Sequence, residues 1–151
     1  NRHVTADMKK GMFVTMFYFI YNFRTHEVCY CNAGHNPPLI LRDGRSVEIL
    51  SFGPENAHTS IVGVDMETHY DDSRLTLMPG DRILLYTDGV IEPINQQGVM
   101  YGTERLLQLI NGHLALPDDE LCTAILSDVM NFQKGLEQFD DFTLLSFRPL
   151  L

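Results

Sequence analysis

Residues 82–92 read RILLYTDGVIE. The apolar run Ile83-Leu84-Leu85-Tyr86 describes a buried strand, which ends abruptly in Asp88-Gly89 before hydrophobic residues resume. Two readings stand. An Asp-Gly pair after a strand makes a hairpin turn, because both residues tolerate the positive φ angles of tight turns. Alternatively, the strand end presents a carboxylate to a metal ion, and that reading needs a partner carboxylate elsewhere in the chain.

Composition limits the search. The chain has 151 residues, 44% of them hydrophobic and 21% charged, which describes a single domain, residues 1–151, with a substantial core rather than a disordered segment. No apolar stretch is long enough to span a bilayer, and the opening NRHVTADMKK lacks the order of a signal peptide, so the expected setting is the cytoplasm. Cys29, Cys31 and Cys122 lack metal-ligand spacing and read as small buried residues of a reduced compartment. With 20 acidic against 11 basic residues and a net charge of −9, the chain is not expected to bind nucleic acid, whose phosphates need clustered Lys and Arg. Cations are its natural counter-charge.

Along the chain, MFVTMFYFIYNF (12–23) is rich in aromatic and β-branched residues and reads as a long strand that turns at RTHE into VCYCNA (28–33). A second hairpin is expected around Asp43-Gly44. After a loop at 53–63, HYDDSRLTLMPGDRILLYTDG supplies two strands joined by a reversing turn at Pro79-Gly80-Asp81. The period then changes. Thr103 is positioned to cap a helix bearing Leu106, Leu107, Leu109 and Ile110, closed near Gly112. A second helix over 118–132 places Leu121, Ile125, Val129 and Phe132 on one side, with Asp118, Asp119 and Glu120 as caps in its first turn. A final strand follows Asp140-Asp141. Strands, then helices, then a returning strand indicate an α+β layered domain with mostly antiparallel sheets.

Asp140 is the partner that Asp88 requires, since it too sits at a strand boundary and both strands are apolar enough to lie side by side. Oxygen ligands of this kind suit Mg²⁺ or Mn²⁺, which keep several waters and need few protein carboxylates. Spacing alone leaves turn and cap roles open for both residues.

The ordered set MFVTMFYFIYN, YCNAGHNPPLIL, MPGDRILLYTDGVIE, YGTERLLQLI and DDFTLLSF resembles the C-terminal two-thirds of a SpoIIE-like (RsbU-type) phosphatase domain, the bacterial branch of the PPM family of metal-dependent, type-2C Ser/Thr phosphatases. The resemblance covers essentially the whole chain. It implies an αββα sandwich in which a binuclear Mn²⁺ or Mg²⁺ centre activates a water for direct attack on phosphoserine or phosphothreonine. It also implies that Asp88 and Asp140 are metal ligands, that Gly89 lets the backbone pass close to the centre, and that Asp141 orients Asp140 by hydrogen bonding. The partners it implies are a phosphorylated protein substrate, a STAS-type anti-sigma factor antagonist, and an upstream sensory domain.

One departure stands at the front. The family's Gly-Asp-Phe/Tyr-Tyr-Asp segment, whose Asp bridges both metals, has no counterpart in residues 1–11, which look like the tail of a helix. The expectation is therefore an N-terminally truncated domain that holds part of the centre and is inactive alone. His35 of AGHNPP invites a role as general acid; the favoured reading is structural, with the ring nitrogens and the rigid prolines organising a loop. Arg82 and Arg105 receive no role, being consistent with ion-paired surface. The acids of VGVDMETHYDDSR lack the alternation and closing Glu of an EF-hand and read as a solvated edge. The competing function is a non-catalytic module of the same fold that recognises a signalling partner; retention of both Asp88 and Asp140 argues against it.

Overall fold

Why the apolar run at 82–86 becomes a strand is visible in its pairing. In the computed structural model, which describes residues 1–7, 9, 11–50, 60–136 and 140–150, β6 (Arg82–Tyr86) lies in the interior of a four-stranded antiparallel sheet. The other strands are β3 (Leu39–Arg42), β4 (Ser46–Ile49) and β7 (Leu144–Phe147), in the order β4-β3-β6-β7. The register sets Leu39 opposite Leu84 and Ile40 opposite Ile83. All four side chains are buried, Leu39 and Leu84 on one face, Ile40 and Ile83 on the other. Burial on both faces is what a run without polar alternation encodes.

The face carrying Leu39, Leu41, Leu84 and Tyr86 forms one core cluster with Leu106 and Ile110 of α3 (Gly102–Gly112) and Leu121, Ile125 and Val129 of α4 (Asp118–Gln133). These helical residues recur at the spacing the sequence shows, so each helix turns one apolar stripe to the sheet. Together with the one-turn helix α2 (Asp88–Ile91), these elements make a compact unit of residues 38–50 and 78–151, masked residues excepted.

A second compact unit comprises residues 1–37 and 51–77, again of the described residues. It holds the short helix α1 (Arg2–Asp7) and a three-stranded antiparallel sheet in the order β1-β2-β5, from β1 (Met16–Asn22), β2 (Glu27–Ala33) and β5 (Ser73–Thr76). Val28, Tyr30, Ala33, Val62 and Leu77 are buried in it. Two antiparallel sheets, with the longer helices α3 and α4 together between β6 and β7, confirm the α+β class.

Both expected hairpins form. β1 pairs with β2 from Met16 opposite Ala33 to Asn22 opposite Glu27. The β3–β4 connection, Asp43-Gly44-Arg45 between the paired Arg42 and Ser46, uses positive φ at both Asp43 and Gly44, which Asp and Gly tolerate. The first strand is shorter than the 12–23 expected, because its ladder ends where Gly34, at φ 74°, turns β2's chain away; Val14 makes only an isolated bridge to Val62.

Pro79-Gly80-Asp81 is a turn, with Gly80 at φ 88° and the Asp81 N–H donating to the Met78 carbonyl. It does not join a hairpin, since β5 belongs to the first sheet and β6 to the second. The Asp81 side chain, 2% exposed, accepts the Met78 N–H and the Arg42 guanidinium, so the turn is tied to β3. The loop at 53–63 falls largely outside the described residues.

Two helix-start expectations are corrected. Thr103 does not cap α3; Tyr101 holds the cap position without a side-chain bond, and Thr103 instead meets the hydroxyl of buried Tyr86. Nor does Asp118 cap α4: it lies in the first turn with Asp119 and Glu120, as expected, but the cap residue is Pro117 and no side chain caps the helix. Asp118 accepts hydrogen bonds from Arg82 and Ser146 and pairs with Arg148. Arg82 is 2% exposed, and its guanidinium also donates to the carbonyls of Leu114 and Leu116. It is a buried tie between β6 and the α3–α4 connection, not a surface ion pair. Arg105 does match the ion-pair reading: it grips both oxygens of Asp128 and lies over the rings of Tyr101 and Phe132. The cysteines are half-buried rather than buried, and the Cys29 thiol bonds Asp72, which raises its pKa.

Candidate metal centre

Asp88 occupies neither a hairpin turn nor a bare strand end. β6 passes through Thr87 directly into α2, whose first residue is Asp88. On the adjoining strand, β7 is preceded by Asp140-Asp141-Phe142-Thr143, and Tyr86 pairs with Leu144 where the ladder finishes. The two carboxylate-bearing segments therefore leave the same end of two neighbouring antiparallel strands.

Beyond the ladder the segments stay joined. The Thr87 N–H donates to the Thr143 carbonyl at 3.1 Å. The Thr87 hydroxyl accepts the Thr143 N–H at 3.0 Å and donates to the Asp141 carbonyl at 2.7 Å. Gly89 closes the other side: a methyl group there would stand 2.5 Å from the Asp141 carbonyl oxygen and 3.2 Å from that of Asp140. Gly89, having no Cβ, permits this approach of the Asp140-Asp141 backbone.

Asp88, Asp140 and Asp141 are exposed, while Gly89 and Val90 behind them are buried. One oxygen of Asp88 accepts the Gly89 N–H at 3.0 Å, and one oxygen of Asp140 accepts the Asp141 N–H at 2.9 Å. It is thus the backbone of Asp141 that contacts the Asp140 carboxylate. Each bond uses one oxygen of a group with about four lone-pair sites. Among the described residues no three His, Cys, Asp or Glu converge on one point. The donor set here is a pair of solvated carboxylates, and that suits a hard cation retaining most of its waters.

His35 lies in the first unit. Its loop is organised by Asn32, 7% exposed, whose side chain accepts the His35 N–H and donates to the His35 carbonyl, both at 2.8 Å. The His35 ring meets the Thr15 hydroxyl at a long 3.4 Å. The neighbouring Asn32 amide thus ties the AGHNPP loop through the backbone of His35. Asn32 and Thr87 carried no distinguishing signal in the sequence, because an Asn at a strand end and a Thr in a strand are ordinary there.

The family model described as "Stage II sporulation protein E (SpoIIE)" matches residues 1–149. Among curated proteins, the phosphoserine phosphatase RsbU of Bacillus subtilis is 30% identical over 98% of this chain, which spans 42% of that protein's length. Among solved structures, the SiaA-PP2C domain of Pseudomonas aeruginosa superposes with a TM-score of 0.77 at 22% identity, over 95% of this chain and 55% of that one. The SpoIIE phosphatase domain of Bacillus subtilis, presoaked with Mn, gives a TM-score of 0.64 at 17% identity over 89% of this chain and 56% of that one. The solved structures share the fold, and the sequence match sets the family: the chain belongs to the SpoIIE family.

Proposed function

We propose that residues 1–151 belong to a single metal-dependent protein serine/threonine phosphatase domain of bacterial signalling, which works in the cytoplasm on a phosphorylated regulator and to whose metal centre this chain contributes a part. The observation that carries this reading is the pairing of the Asp88 and Asp140 segments at one end of β6 and β7. Family membership and the phosphoserine phosphatase named among its relatives support the reaction class. In finer detail the substrate is a phosphoserine or phosphothreonine protein of the STAS-type anti-sigma antagonist class, and an upstream sensory domain governs the activity.

In this reading Asp88 and Asp140 hold Mn²⁺ or Mg²⁺ through carboxylate oxygens. When bound, such ions acidify water and neutralise the phosphoryl oxygens of an in-line displacement. The chain supplies the geometry. Gly89 permits the close backbone approach, and the Asp141 N–H fixes one oxygen of Asp140. A divalent centre also lets a net-negative protein accept a dianionic phosphate.

The test is Mn²⁺-dependent phosphate release from a phosphoserine protein by the protein that carries this chain. Asp88→Asn and Asp140→Asn are each expected to lower kcat by more than the about 10–100-fold typical of losing a hydrogen-bonded supporter of a ligand. Melting temperature should stay level or rise, because adjacent acids repel in the metal-free fold. Unchanged turnover in either variant would sink the assignment.

A further inference from the structure

The end of β6 must do two incompatible things at one residue. As the next rung of the β6–β7 ladder, Thr87 should exchange both backbone hydrogen bonds with Thr143. As the residue before α2, its carbonyl must accept the Val90 N–H, which it does at 3.0 Å. The Thr87 N–H keeps its ladder bond to the Thr143 carbonyl. The Thr143 N–H, deprived of the Thr87 carbonyl, bonds the Thr87 hydroxyl instead, and that hydroxyl in turn donates a hydrogen bond to the Asp141 carbonyl. A hydroxyl is the smallest side-chain group that accepts and donates at once. Its β-branched carbon holds χ1 stiffly, so the bonding direction is preset.

We propose, resting on the metal-centre reading above, that Thr87 is a positioning residue: its hydroxyl clamps the Asp140–Asp141 segment against the Asp88 turn and thereby holds the two carboxylates at a fixed separation. The clamp lies at a half-exposed position. Without it, water can satisfy the Thr143 N–H and the Asp141 carbonyl, so the fold persists while the spacing of the two segments loosens. The loss should therefore register in cation affinity far more than in stability.

The experiment is titration of Mn²⁺, followed by the electron paramagnetic resonance signal of the free ion, into the protein carrying this chain and into its Thr87→Val, Thr87→Ala, Thr87→Ser and Asp88→Asn variants. Melting temperatures are measured without metal. Thr87→Val and Thr87→Ala should weaken Mn²⁺ binding about 10–100-fold, the range typical for groups that orient a ligand. Thr87→Ser, which keeps the hydroxyl, should stay near the parent, and metal-free melting should move little. Wild-type affinity in Thr87→Val or Thr87→Ala beside lost affinity in Asp88→Asn would overturn the clamp and leave the metal centre standing. Equal weakening in the Ser and Val variants would also overturn it, since the hydroxyl would then not be the agent. Wild-type affinity in Asp88→Asn would instead refute the metal centre itself.

Discussion

At the scale of single residues, the polar groups that matter most for folding are those whose partners are backbone. Asn32 satisfies both the N–H and the carbonyl of His35 from a position only 7% exposed. Asn32→Ala strands two backbone groups and should cost about 1–3 kcal/mol, read as a fall in the urea midpoint. His35→Ala keeps those bonds, which belong to its backbone, and should cost less. A larger loss in His35→Ala than in Asn32→Ala would return the loop to the histidine ring. Sequence reasoning found His35 because histidine is a conspicuous residue in a motif. It passed over Asn32 because only the turn at Gly34 shows which amide bonds which backbone group.

At the scale of elements, β6 is anchored at both ends by polar contacts made across the fold. At its start, Arg82 serves Asp118 and two carbonyls of the α3–α4 connection from a buried position. Arg82→Ala should destabilise by about 1–3 kcal/mol, because the carbonyls of Leu114 and Leu116 lose their donor, whereas Asp118, 35% exposed, keeps Arg148 and Ser146. Arg82→Lys should recover little, since an ammonium does not reproduce the planar fork that reaches all three acceptors. Chemical unfolding of both variants checks this.

Acid titration reports the same layer. Burial would raise the Asp118 carboxyl, but hydrogen bonds from Arg82 and Ser146 and the charge of Arg148 hold it below its ordinary value. Hydrogen bonds from Arg105, against burial, likewise lower Asp128. A depressed folded pKa means stability fully present above the unfolded value, about 3.9 for Asp, and lost as pH falls through the lower folded value. The urea midpoint should therefore be insensitive to these groups above about pH 5 and decline below about pH 4. Asp128→Asn should flatten part of that decline; an unaltered acid limb would exclude Asp128 as a contributor.

At the scale of the whole molecule, both carboxylates of the candidate centre belong to the unit built on β4-β3-β6-β7, so cation binding should stabilise that unit. Mn²⁺ at about 100 times its dissociation constant should add about 2.7 kcal/mol, seen as a rise in melting temperature that chelation reverses. Hydrogen exchange should slow in residues 86–91 and 140–144, and Asp88→Asn should abolish both effects. A rise that persists in Asp88→Asn would place the cation elsewhere. The sequence by itself determined the α+β class, both hairpins and the two longer helices. Those features follow from local turn chemistry and from apolar periodicity, each confined to a few neighbouring residues. Tertiary structure alone decided that β5 and β6 part into different sheets, that Arg82 is buried against Asp118, and that Thr87 spans to Asp141. Each of these depends on contacts between segments some 30 to 55 positions apart. No local pattern encodes them, because chain folding in three dimensions chooses which distant polar group meets which.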